Sequence, residues 1–234
     1  MIILQFDAGY LRWGALLLRS LALHEPRKRV LADTVGLSPA QAAEVRAAHP
    51  KVIVVDSPPP EGGAGRTSMA NRKCLVLERV MDEYPREPWY CLMDADLLLR
   101  CPVPFLWASL RGLDAALALN PSLRRRPPGL SNGALTGLVL VRPGARPLVD
   151  SWVRWHWRRR IGEFAHNCWW WDCVTLSRAV LETRVRYAVI PPAEFLDYRR
   201  RPGSPIWSGE CDPEAKDAVF DLLAAEHKRQ RARA

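Results

Sequence analysis

An alternation in the first hundred residues constrains the fold more than any other feature of this sequence. Residues 2–6, 29–32, 52–55 and 89–93 are short apolar runs with the length of buried strands. The segments between them are longer and carry helical spacing. Residues 10–23 place Leu11, Ala15, Leu18 and Ala22 on one face. Ser38-Pro39-Ala40-Gln41 opens a second helix to about residue 48, with Ser38 as N-cap, proline in the first turn and Gln41 set to close a capping box. Residues 67–84 carry Leu75, Val76, Leu77, Val80 and Met81. Strand, helix, strand, helix, strand predicts an α/β chain with a mostly parallel central sheet flanked by helices. On such sheets ligands bind beyond the carboxyl ends of the strands. Asp7 and Asp56 lie at such ends, and Asp94 follows the fourth run.

The second half is less regular. Residues 115–119, 135–141 and 185–190 read as strands, the last stopped by Pro191-Pro192, and residues 148–159 and 172–181 read as helices. Asp212-Pro213-Glu214 caps a final helix to about residue 226. Without an internal repeat or a clear linker, residues 1–227 are expected to form a single domain, followed by a basic tail over residues 228–234.

The 34 lysines and arginines against 25 aspartates and glutamates leave a net charge of +9. That balance favours an anionic partner: a nucleotide diphosphate, a phosphorylated acceptor, an anionic membrane surface or nucleic acid. The triplets Arg124-Arg125-Arg126, Arg158-Arg159-Arg160 and Arg199-Arg200-Arg201 are either solvated faces or an anion-binding surface. Six cysteines (74, 91, 101, 168, 173 and 211) show no C-x-x-C and no Cys/His ligand spacing, which argues against a structural zinc site or a disulfide framework. Cys74 and Cys91 fall in apolar segments and read as core thiols. No basic leader or cleavage site follows Met1, and no apolar run reaches the ~18 residues of a membrane span. The expectation is a cytoplasmic protein, free or peripheral at the inner membrane face.

Asp94-Ala95-Asp96 is the chemical centre of the sequence. In an extended segment residues i and i+2 point to the same side, so both carboxylates would face one cation with Ala95 turned away. Mg²⁺ and Mn²⁺ prefer carboxylate oxygen and share their coordination with substrate phosphates. With 13 Asp in 234 residues, chance places about 0.7 such pairs. The context adds weight: Trp89-Tyr90-Cys91-Leu92-Met93 leads in and Leu97-Leu98-Leu99 leads out, so the pair opens at a strand end. The competing reading is a pair of turn or N-capping aspartates.

The order of these parts resembles the GT-A (Rossmann-like) nucleotide-diphospho-sugar glycosyltransferases, in particular the glycogenin-like and bacterial lipooligosaccharide galactosyltransferase-like retaining group, over roughly residues 1–210. Phe6-Asp7-Ala8-Gly9-Tyr10 resembles the first strand and helix, where an acidic residue and a tyrosine meet the nucleotide. Arg72-Lys73 resembles the basic residues that approach the donor, and Leu92-Met93-Asp94-Ala95-Asp96-Leu97 matches the apolar-D-A-D-apolar motif. Ser131-Asn132-Gly133-Ala134-Leu135 is similar to the segment near the donor sugar. Trp171-Asp172-Cys173-Val174-Thr175-Leu176 looks like the D-Q-x-x-L segment, with Cys173 where glutamine is usual. Ile206-Trp207-Ser208-Gly209-Glu210 holds no histidine where the family commonly supplies a third metal ligand, and Lys216 is a candidate for the lysine that follows it. Glu210 or water would then complete the metal shell.

The resemblance implies a nucleotide-binding half over residues 1–100 and an acceptor half over residues 101–227. It implies a retaining, metal-dependent transferase using Mn²⁺ or Mg²⁺ and a UDP-linked sugar, and it leaves the acceptor open: a glycan, a lipid-linked group or another molecule. Asp94 and Asp96 are the expected metal ligands. Asp7, Tyr10, Arg72, Lys73, Asp94 and Gly133 are the expected donor contacts, and Asp172 and Asn132 the catalytic pair. Two other classes stay open: a catalytically weak transferase-fold protein binding an anionic polymer or nucleic acid, and a haloacid dehalogenase-type phosphatase with Asp94 as nucleophile. Among ten tryptophans, Trp152 and Trp155 read as core, while Trp169-Trp170-Trp171 read as facing an acceptor or an interface. His156 and His166 read as surface or core residues rather than ligands.

Overall fold

A computed structural model of the chain describes residues 1–59, 69, 71–108, 111–119, 133–158, 160–161, 164–165, 171–190, 197–209 and 213–234. Strand β1 (Ile2–Asp7) is followed by a short 3₁₀ turn (Ala8–Tyr10) and helix α1 (Leu11–His24). Strand β2 (Val30–Val35), helix α2 (Pro39–Ala48) and strand β3 (Val52–Asp56) complete the alternation, and β1–β2 and β2–β3 pair parallel. The expected capping box is present at α2: the Gln41 amide donates to Ser38 Oγ and the Ser38 amide to Gln41 Oε1. Helix α1 lies close to β1, because a Cβ on Gly14 would come within 2.7 Å of the Phe6 ring.

Strand β2 runs three residues past its apolar run and is buried throughout. Its polar end is tied down because Asp33 and Thr34 each make a side-chain hydrogen bond. Ser57 Oγ donates to Asp33 Oδ1 at 2.5 Å, and Thr34 Oγ1 donates to the Val55 carbonyl at 3.1 Å.

Helix α3 (Lys73–Glu83) leads to β4 (Tyr90–Asp94) and the short β5 (Leu97–Leu99). Then come α4 (Pro104–Ala108), β6 (Ala115–Leu119), β7 (Ala134–Val141) and α5 (Arg146–His156). Two-residue strands β8 (Arg160–Ile161) and β9 (Phe164–Ala165) precede α6 (Trp171–Glu182) and β10 (Tyr187–Ile190). Strand β11 (Ile206–Ser208) and α7 (Lys216–Arg233) close the chain. One mostly parallel sheet of seven strands has the order β10-β6-β7-β4-β1-β2-β3, with β7 antiparallel to both β4 and β6, and β11 pairs with β5 in a separate ribbon. No helix among the described residues is long and apolar enough to cross a membrane.

Internal contacts divide this α/β domain into two compact units. The first joins Ile2–Pro58, Asp94–Phe105 and Pro191–Ala234. Its core includes Trp13, Leu16, Leu98, Trp207, Val219 and Leu223, with Tyr10, Phe220 and Ala224 packed against it. The second joins Met1, Pro59–Met93 and Leu106–Ile190, with a core that includes Ile161, Trp171 and Val174.

One boundary differs from the expected one. Residues 228–234, expected as a basic tail after a helix ending near residue 226, are helical, and α7 runs through Arg233. Its last turns are docked by polar groups that look solvated in the sequence. Gln230 Oε1 lies 3.0 Å from His24 Nε2, Gln230 Nε2 donates to Glu226 Oε1 at 3.2 Å, and Arg100 Nε donates to the same carboxylate at 3.0 Å.

Candidate functional site

Asp94 is the last residue of β4, and Ala95 and Asp96 form a tight turn into β5. Sequence alternation had placed the two carboxylates together by assuming an extended segment. The turn achieves the separation differently: Ala95 is buried, and Asp94 and Asp96 are both half-buried. The turn is braced from several directions. Leu97, Leu98 and Leu99 are almost fully buried, and β5 pairs antiparallel with β11 so that Leu97 faces Ser208. Ser20 Oγ on α1 accepts from the Leu99 amide at 3.2 Å. The Gly209 amide donates to the Asp96 carbonyl at 2.6 Å. A Cβ at Gly209 would lie 2.6 Å from that carbonyl oxygen, 2.6 Å from the Trp13 ring and 3.1 Å from Asp96 Cβ. Position 209 therefore has no room for a side chain, a requirement the sequence did not announce.

The same unit brings the first helix, the D-A-D turn and the last helix together. Asp7 caps the 3₁₀ turn, its Oδ1 accepting from the Tyr10 amide at 3.1 Å. Lys216, at the start of α7, donates through Nζ to the Tyr10 hydroxyl at 2.9 Å and to Asp96 Oδ2 at 3.5 Å. Its ammonium also stands 4.7 Å from the Tyr10 ring centroid and 5.1 Å from that of Trp13, within cation–π range. Lys216 and Asp96 side chains are each only 14% exposed, so the pair is poorly screened by water.

Among the described residues, no group of three or more His, Cys, Asp or Glu could hold a metal ion. Glu210, the other expected candidate ligand, lies outside the described residues. Two half-buried carboxylates supply hard oxygen donors, and Gly209 packing fixes the backbone that carries one of them. That donor set fits a Mg²⁺- or Mn²⁺-type ion sharing its shell with phosphates and water, and it does not fit a closed protein cage.

The second unit holds the other expected residues. Lys73 Nζ donates to Asp172 Oδ2 and to Thr136 Oγ1, both at 3.1 Å, and Thr136 Oγ1 donates to Asp172 Oδ2 at 2.5 Å. Asp172 Oδ1 accepts from the Cys173 amide at 2.8 Å. Two residues given separate roles by sequence, a diphosphate contact and a sugar contact, are thus partners in one buried ion pair. Thr136 was missed, and a single threonine in an apolar strand gives no signal. Trp152 Nε1 donates to Thr175 Oγ1 at 3.0 Å and to the Asp172 carbonyl at 3.2 Å, fixing the first turn of α6. Cys173 Sγ lies 3.5 Å from Thr136 Oγ1. Burial, aided by the charge of Asp172, pushes its thiol well above the usual range, so it is a neutral packing group and no nucleophile. Arg72 is the N-cap residue of α3. Gly133 directly precedes β7, where the Ala134 amide donates to Ser177 Oγ at 3.0 Å. Asn132 lies outside the described residues.

One further expectation is corrected. Trp171 does not face an acceptor: it is fully buried, with Nε1 donating to the His156 carbonyl at 3.0 Å, which removes the penalty for burying the indole N–H. Trp169 and Trp170 lie outside the described residues, as do His166 and the triplet at 124–126. The triplet at 199–201 is anchored mainly through its backbone, with Arg199 and Arg201 exposed. Asp197, almost fully buried, accepts from the Arg199 and Arg201 amides, Arg201 Nε and Ser204 Oγ, and Arg200 donates to the Ser208 carbonyl. Burial pushes the Asp197 carboxyl up, but these hydrogen bonds outweigh it and hold it at about 2.

The sheet order and the D-A-D turn after β4 define the GT-A class of fold. Solved glycosyltransferases share it across almost the whole chain. The galactosyltransferase LgtC in complex with donor and acceptor sugar analogs matches with TM-score 0.63 at 12% identity, covering 96% of each chain. A glycosyltransferase involved in glycosylation of the major capsid of PBCV-1 matches with TM-score 0.60 at 12% identity, over 95% of this chain and 98% of that one. Mouse xyloside xylosyltransferase 1 matches with TM-score 0.54 at 15% identity, over 90% and 97%. No family model and no curated protein matches the sequence. At such identities the likeness establishes the fold.

Proposed function

We propose that this chain is a metal-dependent, retaining glycosyltransferase that moves a sugar from a UDP-linked donor to an acceptor. The observation that carries the reading is the D-A-D turn: two half-buried carboxylates at the carboxyl end of a strand, in a fold shared with solved glycosyltransferases. Asp94 and Asp96 would hold a Mg²⁺ or Mn²⁺ ion, which when bound supplies Lewis-acid stabilisation of a leaving diphosphate. Asp7 fixes the backbone of Tyr10, and Tyr10 in turn accepts from Lys216, so the nucleotide meets a preset ring, hydroxyl and ammonium. Arg72 adds positive charge toward the diphosphate. Asp172 orients the transferred sugar together with Asn132 and Gly133. Lys73 and Thr136 hold the Asp172 carboxylate in place.

Incubation with a panel of UDP-sugars and Mn²⁺, reading nucleoside diphosphate release, tests this directly. Asp96→Asn is expected to lower the rate roughly 100-fold, equivalent to about 2.7 kcal/mol of transition-state stabilisation. Absence of turnover with every donor, or turnover indifferent to Asp96→Asn, would sink the reading. The anomeric configuration of the product, followed by NMR, tests retention.

A further inference from the structure

Lys216 does more at this site than decorate its edge. Its ammonium lies 3.5 Å from Asp96 Oδ2, an oxygen of the carboxylate proposed above as a metal ligand. It is held there by a hydrogen bond to the Tyr10 hydroxyl and by the faces of Tyr10 and Trp13. All four residues belong to one compact unit, and the Lys216 side chain is 14% exposed. A monovalent cation already balances the acidic turn. A divalent ion arriving alone meets that positive charge at short range, in a region where water screens weakly. A nucleoside diphosphate changes the balance, because its oxygens offer negative charge to both cations.

We propose that Lys216 is a resident counter-cation of Asp96 that a divalent metal must displace, so that this site takes up metal together with a nucleoside diphosphate and only weakly alone. The inference rests on the metal role given to Asp96 above. It makes metal and nucleotide binding reciprocal: each raises affinity for the other, and Lys216 sets the size of the effect.

The test is Mn²⁺ binding, read by loss of the free-ion electron paramagnetic resonance signal, with and without UDP. It is made on the wild-type chain and on Lys216→Met, Lys216→Arg and Asp96→Asn, each checked for cooperative melting. Lys216→Met should bind Mn²⁺ alone at least tenfold more tightly than wild type. UDP should tighten Mn²⁺ binding strongly in wild type and much less in Lys216→Met. Lys216→Arg keeps the charge and should stay near wild type. Tyr10→Phe, which leaves the ring and removes the hydroxyl, should shift Mn²⁺ affinity in the same direction as Lys216→Met by a smaller factor. Equal or weaker Mn²⁺ binding by Lys216→Met, with binding still lost in Asp96→Asn, overturns the counter-cation role and leaves the metal site standing. No Mn²⁺ binding by any variant, with or without UDP, overturns the metal reading and this inference with it.

Discussion

Gly209 offers the sharpest test of how the D-A-D turn is held. An alanine there places a methyl carbon 2.6 Å from the Asp96 carbonyl oxygen and 2.6 Å from the Trp13 ring. Ordinary contacts need 3.4 Å or more, so each neighbour must retreat by about 0.8 Å. The Trp13 ring cannot retreat freely, because it is buried among Leu16, Leu98, Trp207, Val219 and Leu223. The Asp96 carbonyl is main chain and accepts from the Gly209 amide, so it moves only with the turn itself. Overpacking of this kind costs about 1–3 kcal/mol. For a chain of 234 residues each kcal/mol lowers the melting temperature by about 2–4 °C, so Gly209→Ala should melt roughly 6 °C low.

The effect on the site should exceed the effect on stability. A displacement approaching 1 Å of a group that orients substrate can cost about 100-fold in rate. Gly209→Ala should therefore lose donor turnover by roughly that factor while remaining folded by circular dichroism. Trp13→Leu in the Gly209→Ala background relieves the ring clash and leaves the carbonyl clash, so stability should recover in part and turnover should not. A Gly209→Ala protein that melts within 1 °C of wild type and turns over normally would refute the reasoning.

Lys73→Met and Asp172→Asn each leave a buried partner uncompensated, at about 3–5 kcal/mol, while the double variant should cost less than the sum. Urea unfolding midpoints of the four proteins check this, and strict additivity would deny the pairing. Acid should destabilise the unit that holds Asp197 and Glu226. Burial raises the Glu226 carboxyl, but Arg229, Gln230 and Arg100 hold it at about 2, as the Asp197 network does for Asp197. Both folded values lie below the unfolded ones, so the stabilisation is present above about pH 4.5 and fades as pH falls towards 2, by roughly 2–3 kcal/mol per group. Urea midpoints at pH 5 and pH 3, with Asp197→Asn and Glu226→Gln showing flatter profiles, read it out. Deleting residues 228–234 removes the Gln230 bonds to His24 and Glu226 and should lower stability by about 1–3 kcal/mol, whereas a loose tail would leave the melting curve unchanged.

What was legible in the sequence was what short segments decide for themselves. The capping box of α2 needs only residues 38 to 41, and it forms as read. The strand–helix alternation needs only apolar spacing, and it yields the GT-A sheet. Misreadings fall where a distant partner changes the meaning of a residue. Asp33 and Thr34 look like the end of a strand until Ser57 and Val55 satisfy them. Gln230 looks like tail until His24 and Glu226 hold it. Trp171 looks too polar in its surroundings to bury until the His156 carbonyl takes its N–H.

The candidate site shows the same division at closer range. Asp94 and Asp96 could be picked out because they are two residues apart, yet the backbone that carries them is a turn and not the extended segment expected. A turn displays them, and its geometry depends on Ser20, Ser208 and Gly209. Lys216 stands 120 residues from Asp96 and Lys73 stands 99 residues from Asp172, and no local pattern links either pair. Lys73 was expected at the donor and Lys216 beside the metal, and each is already paired with a carboxylate inside the protein. Excess charge in this chain is thus a poor guide to anion binding until the internal pairs are subtracted. Arg201, paired to Asp197 inside a basic triplet, makes the same point. On the function proposed above, the charge that would matter for a diphosphate is the charge a ligand can recruit, and beside the D-A-D turn the ammonium of Lys216 is already in place, held by Tyr10, Trp13 and Asp96.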